Sequence, residues 1–402
     1  MSTEAPRSGA PVWQESPQAA GTLQGVRIVD LTRVLAGPLC TQMLADHGAD
    51  VIKIEPPFGD ETRRLGPPFD ADGAAAYYTA LNRGKRSVSL NLNEEEDRQT
   101  LLQLLEEADV VIENFLPGTM EKWQLGYESV LAPRFPRLIY CSISGFGQTG
   151  PLGGRPGYDA VLQAICGLMS INGSPDSGPT RIGIPIVDHL TGYTAMAGIV
   201  MALFHRQRSG RAQRVETTLF DTALSLLVPH AANWMQSGGT PELLGSAHPN
   251  IAPYDSYKTR DGSVFLGILN EAQFRRFCRC IDRPSLADDT RFGSNATRLK
   301  NRDALRVEIE MAFADREKGE LCRILMEEGI PAGPVNTVPE ALSHPHAIHR
   351  GMIIADSGYH GLGLPIRMHR SPGQPGRRPP KFNEHASLIE DLKPQALKPD
   401  RT

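Results

Sequence analysis

One carboxylate near the middle of the chain is the residue best placed to do chemistry. Asp176 lies in the segment Gly173–Thr180, which reads GSPDSGPT, and long apolar runs flank this segment on both sides. A carboxylate at the tip of a tight loop can act as a nucleophile toward an activated acyl group. The alternative is ordinary turn chemistry, in which an aspartate accepts hydrogen bonds from nearby backbone N–H groups.

The composition excludes several other classes of protein. The 402 residues are 40% hydrophobic and 22% charged with a formal net charge of −4, which is typical of a globular protein with room for two cores. Nucleic-acid-binding proteins are usually basic, so no nucleic-acid partner is expected, although a local basic cluster exists at Arg83, Lys85 and Arg86. None of the six cysteines forms a CxxC pair, which predicts reduced thiols in a cytoplasmic protein and no metal site.

Two further segments bear on targeting. Residues 1–20 are rich in Ala, Pro, Ser and Gln and lack the apolar core of a signal peptide, which predicts a disordered tail. The most apolar long run, Leu190–Phe204, contains Thr, Tyr and Gly. It is too short and too interrupted for a membrane span, so we predict a buried helix and no membrane partner.

Alternating strand and helix patterns predict a doubly wound α/β fold in the N-terminal half. Val26–Leu31 reads as a buried strand, a helix opens around Pro38 and stops at Gly48, and Val51–Glu55 reads as the next strand. The pattern repeats, with further strands predicted at 109–113, 137–143 and 214–218. No GxGxxG follows the first strand, which weighs against a nicotinamide or flavin cofactor.

The pattern changes after a helix predicted at 219–228. A β-hairpin is predicted around Asp261-Gly262, and polar helices follow near 271–280, 302–313 and 319–329. We therefore predict a large α/β domain over 21–228, a small α+β domain over 229–340, and a C-terminal segment, 341–402, that wraps back onto the large domain.

Seven short motifs in a fixed order resemble those of class III (family III) CoA-transferases. They are GVRIVDL at 25–31, AGP at 36–38, GADVIKIE at 48–55, NRGKRS at 82–87, ENF at 113–115, SGFG at 144–147 and GIPAGPV at 329–335. The resemblance covers about residues 23 to 390. It implies a Rossmann-like large domain with a smaller α+β domain, an interlocked homodimer, an acyl-CoA substrate and no prosthetic group.

The resemblance also implies roles for individual residues. Asp176 matches the aspartate that becomes acylated, and the glycine-rich loop at Gly145 and Phe146 would bring backbone N–H groups near the developing oxyanion. A flexible loop after a strand is the alternative for that segment. The residues implied for the coenzyme A site are Arg33, Val34, Ala36, Leu90, Asn91, Leu92, Asn93, Asn114, Phe115 and Lys122. For Lys122, a solvated helix face is the alternative.

Three positions differ from the oxalate-specific members of that family. Leu35 replaces a glutamine near the reaction centre, Pro56 replaces an arginine near the adenine, and the sequence GSAHPN at 245–250 replaces consecutive glycines. These differences favour the succinyl-CoA-dependent branch, whose acceptors are dicarboxylates or similar acids. His248 could hydrogen-bond an acceptor carboxylate, and a loop-capping histidine is the alternative.

Two other functions remain open at this point. α-Methylacyl-CoA racemases share the fold and need acid/base groups on both faces of the α-carbon. The corresponding positions here are Tyr158-Asp159 and Asp188, and a tyrosine with an ordinary pKa near 10 is a poor base at neutral pH. A non-catalytic CoA-binding protein is the third possibility, and the presence of Asp176 argues against it.

Overall fold

The computed structural model describes residues 12–13, 21–356 and 358–392, and the chain divides into two compact units. The large unit consists of the described residues up to Cys166, of Gly183–Leu226 and of the residues from His346 onward. The small unit consists of Gly167–Ile182 and Leu227–Pro345.

The helices and strands are as follows. The strands are β1 (Arg27–Asp30), β2 (Asp50–Glu55), β3 (Lys85–Ser89), β4 (Val110–Glu113), β5 (Ile139–Ser144), β6 (Gly173–Ser174), β7 (Gly178–Pro179), β8 (Arg214–Thr218), β9 (Tyr254–Thr259), β10 (Gly262–Gly267), β11 (Ala332–Pro334), β12 (Ile353–Asp356) and β13 (Tyr359–Leu362). The α-helices are α1 (Ala36–Asp46), α2 (Ala76–Thr79), α3 (Glu95–Leu105), α4 (Thr119–Lys122), α5 (Ala132–Arg134), α6 (Asp159–Ile165), α7 (Leu168–Ile171), α8 (Ile186–Ser209), α9 (Leu219–Ser225), α10 (His230–Ser237), α11 (Glu271–Cys280), α12 (Asn295–Lys300), α13 (Arg302–Phe313), α14 (Lys318–Glu327), α15 (Val338–Leu342) and α16 (Pro345–His349).

The large unit is built on a six-stranded parallel sheet with the order β3–β2–β1–β4–β5–β8. The predicted parallel α/β fold is therefore confirmed. The strand order reverses between β1 and β4, and open sheets of this type bind ligands at such a switch point, beyond the carboxyl ends of the strands. The sequence analysis missed β3, because its first residues, Lys85 and Arg86, are charged.

The basic cluster predicted at Arg83, Lys85 and Arg86 is not a surface patch. Each of the three cations pairs inside the large unit with an aspartate, at nitrogen–oxygen distances of 2.6, 3.0 and 2.5 Å respectively. Their partners are Asp46, Asp30 and Asp50. Charges paired in this way are not available to an external anion.

Helix α8 is only partly buried, which corrects the predicted buried helix. Its 24 residues bury one face, and Gly192 on that face allows close packing, since a Cβ there would lie 2.7 Å from the carbonyl oxygen of Ala36. On another face, the side chains of Met201 and Phe204 are 65% and 59% exposed. Among the described residues, α8 is the one helix long and apolar enough to cross a membrane, judged by length and composition alone.

The small unit has its own core around a three-stranded antiparallel sheet, β11–β10–β9. Strands β9 and β10 form the hairpin predicted around Asp261-Gly262. The sequence analysis placed residues 167–182 in the large domain, whereas the structure groups them with the small unit. A backbone hydrogen bond of 2.8 Å from the Gly245 N–H to the Gly173 carbonyl joins this segment to the loop before β9.

Both ends of the described chain pack on the large unit. The C-terminal segment donates hydrogen bonds to and accepts them from β3, for example from the Ser89 N–H to the Asn383 side chain at 2.8 Å. Near the N-terminus, Trp13 is 5% exposed and lies within 6.0 Å of the guanidinium groups of Arg27 and Arg86. The prediction of a disordered tail is therefore wrong for Val12 and Trp13, and its other residues, 1–11 and 14–20, lie outside the described chain.

Candidate active site

Asp176 lies at the exposed tip of the two-stranded hairpin formed by β6 and β7. The tip is held closed by serines: the Ser174 N–H donates to the Ser177 hydroxyl at 2.9 Å, and the Ser177 N–H donates to the Ser174 hydroxyl at 3.1 Å. Glycine is required in β6, because a Cβ on Gly173, whose φ is +119°, would lie 2.2 Å from the Gly178 carbonyl oxygen.

The hydrogen bonds of this turn bear on the turn-capping interpretation of Asp176. Serine side chains, and not the aspartate, satisfy the backbone donors of the turn. Among the described residues, no donor lies within hydrogen-bond distance of the Asp176 carboxylate. Asp176 therefore does not cap this turn, and its role as a nucleophile stays a prediction.

His248 lies in the loop that carries the hydrogen bond to this hairpin. We call residues Gly245–Asn250 the His248 loop; its Gly245 N–H donates to the Gly173 carbonyl at 2.8 Å. The His248 Nδ1 accepts a hydrogen bond from the Asn250 N–H at 3.1 Å, so histidine does cap the loop as one alternative proposed. Burial, followed by the charges of His230 and Arg302, lowers the pKa of His248. In the neutral ring that results, the proton is on Nε2, which can donate to an acceptor.

In the large unit, Arg33 and Asn114 meet where the strand order reverses. Arg33 follows β1 and Asn114 follows β4; the Arg33 N–H donates to the Asn114 Oδ1 at 2.9 Å, and the Asn114 Nδ2 donates to the Arg33 carbonyl at 2.7 Å. Between Arg33 and α1, Val34 has a φ of +68°, a strained conformation for a β-branched residue. This tight turn is held by two hydrogen bonds to Asn114, and it places Arg33 at the carboxyl edge of the sheet.

A strip of further side chains continues from this point. The Arg33 guanidinium carbon lies 5.4 Å from the centre of the Phe115 ring, and Phe115 packs edge-on against Trp123 at 5.1 Å between ring centres. The Trp123 Nε1 donates to the Asn93 Oδ1 at 2.9 Å, and the Asn93 Nδ2 donates to the Asn91 Oδ1 at 3.2 Å. The structure therefore brings together five of the residues implied for coenzyme A, along with Trp123, which the sequence analysis missed.

The other residues implied for coenzyme A have different surroundings. Leu90 and Leu92 are 2% and 7% exposed and point into the core, so only their backbone could meet a ligand. Ala36 is also buried, beneath Gly192 of α8. Lys122 is exposed at the end of α4, as its alternative interpretation expected.

Leu35, Gly145 and Phe146 all have packing contacts in the structure. Leu35 is 3% exposed and packs against Leu39, Met43 and Leu81, so its side chain does not line an open surface. At Gly145, a Cβ would lie 3.0 Å from the backbone of Gly157, which gives this glycine a packing role whatever else it does. Phe146 packs against Phe220 with 5.9 Å between ring centres.

The residues at the positions of the racemase acid/base groups, Tyr158, Asp159 and Asp188, differ in their burial and hydrogen bonds. Asp159 is buried, and its Oδ2 accepts hydrogen bonds from the N–H groups of Val187 and Asp188 at 2.7 and 3.1 Å, at the start of α8. Tyr158 is 68% exposed. Burial, together with the charge of Asp159, raises the pKa of Asp188 to about 7. Asp159 thus has a structural role.

A buried ionic cluster beneath the Arg33 turn was missed by the sequence analysis. Lys53 and Lys85 are fully enclosed; the Lys53 Nζ donates to the Thr32 carbonyl at 2.6 Å, and Lys85 pairs with Asp30 at 3.0 Å. Asp30 also accepts from the Thr32 N–H at 2.9 Å. Burial raises the pKa of the Asp30 carboxyl, but the charges of Lys85 and Lys53 outweigh this effect and bring it to about 2. The sequence did contain one signal of this cluster, which is Lys53 within the otherwise apolar pattern of β2.

Comparisons with known proteins give the family. A family model described as CoA-transferase family III matches residues 23–386. The chain belongs to CoA-transferase family III. The motifs that suggested this family are spread over the same part of the chain, so the resemblance is confirmed, and the protein is an enzyme of this class. Among the described residues, no group of three or more His, Cys, Asp or Glu side chains could hold a metal ion.

Relatives of this CoA-transferase include enzymes that are named for different acids. It is 41% identical to a succinate–glutarate CoA-transferase of Agrobacterium fabrum, over 93% of this chain and 96% of that protein. It is 39% identical to a succinyl-CoA:mesaconate CoA-transferase of Haloarcula marismortui, over 92% and 96%. It is also 39% identical to an acetyl-CoA:oxalate CoA-transferase of Acetobacter aceti, over 88% and 92%.

The fold agrees with a solved structure of the same group. A CAIB/BAIF family protein from Brucella suis superposes with a TM-score of 0.83 at 43% identity, over 92% of this chain and 99% of that one.

Proposed function

We propose that this CoA-transferase moves coenzyme A from succinyl-CoA, or a similar acyl-CoA, to a short dicarboxylic acid through covalent intermediates on Asp176. The observation that carries the proposal is the free carboxylate at the hairpin tip, where Ser174 and Ser177 satisfy the turn in its place. A carboxylate with no competing donor can be positioned against a thioester, and covalent catalysis divides one difficult transfer into easier steps.

The proposed reaction has four acyl-transfer steps. The Asp176 carboxylate attacks the thioester carbonyl, which forms a mixed anhydride and releases the coenzyme A thiolate. The thiolate then attacks the Asp176 carbonyl carbon, which forms an aspartyl-CoA thioester and releases the donor acid. The acceptor carboxylate attacks this thioester to form a second anhydride and free thiolate. Finally, the thiolate attacks the acceptor carbonyl, which releases the new acyl-CoA and restores the Asp176 carboxylate.

The strip from Arg33 to Asn91 is the proposed binding surface for coenzyme A. Arg33 supplies a cation for a phosphate, Phe115 and Trp123 supply flat apolar faces, and the amides of Asn91 and Asn93 supply hydrogen bonds. These residues follow β1, β3 and β4, at the edge where parallel sheets bind ligands. Backbone N–H groups near Gly145 and Phe146 are proposed to stabilise the oxyanion.

The choice of a dicarboxylate rests on two supports. Several relatives at about 40% identity are named for succinate, glutarate or mesaconate. The His248 loop, with its histidine and proline, replaces the glycines of oxalate-specific enzymes. The acetyl-CoA:oxalate relative matches equally well, so family membership alone does not decide the acid. Because Leu35 is buried, the argument from that position carries less weight than the one from His248.

A homodimer is the proposed assembly, and the cytoplasm the proposed compartment. The exposed apolar face of α8 supports a partner chain, since exposed apolar patches on stable proteins mark interaction surfaces. The six cysteines are free thiols, which supports a reducing compartment.

The covalent mechanism is tested by following the transfer of one carboxylate oxygen from the acceptor acid to Asp176. The purified enzyme is incubated with succinyl-CoA and glutarate whose carboxylate oxygens carry a heavy isotope, and the Asp176 peptide is then analysed by mass spectrometry. One turnover should transfer one labelled oxygen to Asp176, because the bridging oxygen of the second anhydride comes from the acceptor.

The matched control is Asp261, another exposed aspartate in a turn of the small unit, whose carboxylate accepts a hydrogen bond from the Lys318 N–H at 2.7 Å. Its peptide should remain unlabelled. Transfer of coenzyme A without label at Asp176 would contradict the covalent mechanism. Label at Asp176 would also exclude a protein that only binds coenzyme A.

A further inference from the structure

A partly buried arginine without a carboxylate partner among the described residues lies beneath the His248 loop. Arg302 is the first residue of α13, and its Nη2 donates to the His248 carbonyl at 2.7 Å. Its Nη1 is buried and has no hydrogen-bond partner among the described residues. No carboxylate in that part of the chain lies within 4.0 Å of the Arg302 guanidinium.

Neighbouring arginines on the same helix face are paired, which makes Arg302 unusual. Arg306, one turn further along α13, pairs with Asp255 and with Glu310, the latter at 3.3 Å. Burying a charge without a partner is unfavourable, and a cation at the start of a helix also opposes the helix dipole. A bound anion could accept a hydrogen bond from the Arg302 Nη1 and offset both effects.

The loop above Arg302 is held firmly. The Asn233 and Asn250 side-chain amides exchange two hydrogen bonds, at 2.8 and 3.2 Å, and the Asn295 Nδ2 donates to the Asn250 carbonyl at 2.9 Å. The His248 ring packs against Tyr254 with 5.2 Å between ring centres. A fixed backbone and a packed ring leave the His248 Nε2 pointing in one direction, and this nitrogen has no partner among the described residues.

We propose that Arg302 is a positioning residue that makes the His248 loop selective for a carboxylate at the far end of the acyl group or the acceptor acid. This inference rests on the proposed function. Arg302 holds the His248 carbonyl and adds positive potential, while the His248 Nε2–H makes the direct hydrogen bond to the substrate. The loop is hydrogen-bonded to the hairpin of Asp176, so the selecting group and the nucleophile belong to one connected segment of the small unit.

The test uses Arg302→Gln, which keeps a donor for the His248 carbonyl but removes the charge. We expect the ratio of kcat/KM for succinyl-CoA to that for butyryl-CoA to fall about tenfold or more, mainly through the KM for succinyl-CoA. The same loss is expected for glutarate against pentanoate as acceptors. Arg302→Lys, which keeps the charge, should restore most of the ratio.

Arg306→Gln is the matched control, because it removes a paired arginine from the same helix. It should lower stability but leave the ratio within about twofold of the wild-type value. The inference is overturned if Arg302→Gln keeps the wild-type ratio, or if Arg306→Gln lowers it equally. If Arg302→Gln does not fold, His248→Ala must show the loss of ratio, and its retention overturns the inference.

The wild-type enzyme separates this inference from the proposed function. If wild type itself does not distinguish succinyl-CoA from butyryl-CoA, the proposed substrate class is wrong. If wild type does distinguish them and Arg302→Gln does so equally well, only the role of Arg302 is wrong.

Discussion

Three aspartates of this protein differ in the hydrogen bonds that their carboxylates accept. Asp159 accepts two backbone N–H groups at the start of α8, and Asp261 accepts the Lys318 N–H. Asp176 accepts none among the described residues, because Ser174 and Ser177 close its turn. A carboxylate that stabilises no local structure can be replaced without unfolding the protein, which makes its chemistry testable.

Replacement of Asp176 by asparagine is expected to lower the rate of CoA transfer by about a thousandfold or more, because it removes the covalent nucleophile. The affinity for coenzyme A should change by less than about threefold, since the proposed coenzyme A surface involves other residues. Steady-state kinetics and calorimetric titration measure the two quantities. Asp261→Asn should retain transfer. Retention of more than a tenth of the wild-type rate by Asp176→Asn would rule out its role.

At the scale of elements, the loop after β1 depends on a buried ionic cluster. Asp30 and Lys53 hold both backbone groups of Thr32, at 2.9 and 2.6 Å, and the chain then turns through Val34 at positive φ. The cluster thus places the Arg33 turn against Asn114 from below. Burying charged side chains costs free energy, so stability alone does not explain this cluster. We therefore infer that its function is to position the Arg33 turn.

Asp30→Asn and Asp46→Asn are a matched pair of tests for this function. Each removes the carboxylate of a buried ion pair in the large unit, with Lys85 and Arg83 respectively, so both should lower the free energy of unfolding by about 3 kcal/mol or more. Only Asp30→Asn should also raise the Kd for coenzyme A, roughly tenfold, because it removes the charge and the Oδ2 acceptor that hold Lys85 and Thr41 beneath the Arg33 turn. Equal effects of both variants on the Kd would show that the cluster is only structural.

The end of β4 gives a pH-dependent prediction. Burial raises the pKa of Glu113 to about 7, despite hydrogen bonds from the Phe115 N–H and from the hydroxyl of Tyr140. Because the folded pKa lies above the unfolded one, this group's contribution to stability is complete below pH ~4.5 and is lost as the pH rises through about 7.

Glu113→Gln should therefore change the pH profile of stability. The variant should lose that dependence and gain up to about 3 kcal/mol relative to wild type on going from pH ~4 to pH ~8. Denaturant unfolding at several pH values measures the difference. Parallel profiles for variant and wild type would show that folding does not shift the pKa of Glu113.

The elements that sequence reasoning found are those with uniform burial. Strands such as β1 and β4, and the helix α11 over Glu271–Cys280, have regular apolar patterns and lie within a few residues of their predicted bounds. Strand β3 was missed because its charges are paired inside the protein, and pairing between distant residues leaves no local pattern. The proposed nucleophile, Asp176, was predicted from its loop and from the family resemblance, whereas the Nη1 of Arg302 that lacks a partner among the described residues lies in a contact between residues 54 apart in sequence.

At the scale of the whole molecule, the two units draw on segments that are distant in sequence. The large unit includes residues from both ends of the described chain, and the small unit takes residues 167–182 from within the large one. The chain therefore crosses between units several times, which couples their folding. A single-domain truncation that ends at residue 228 would lack the C-terminal segment that bonds to β3.

The exposed face of α8 leads to a prediction about assembly. Its exposed apolar residues recur every three or four positions, so they form one stripe along the helix: Tyr193, Ala197, Val200, Met201 and Phe204. An exposed apolar stripe of this kind marks an interaction surface, and the proposed interlocked dimer would cover it. Threaded chains cannot separate unless a unit opens, so dissociation should require unfolding.

We therefore expect a dimer by analytical ultracentrifugation at all concentrations down to the nanomolar range, with no exchange of subunits between tagged and untagged dimers mixed in native buffer. Exchange should begin only at denaturant concentrations that unfold the protein. Phe204→Glu places a charge on the stripe and should reduce the yield of soluble dimer, while Arg208→Glu, beyond the stripe on the same exposed helix end, should not. A monomer, or a dimer that exchanges freely under native conditions, would contradict interlocking, and the apolar face of α8 would then need a different partner.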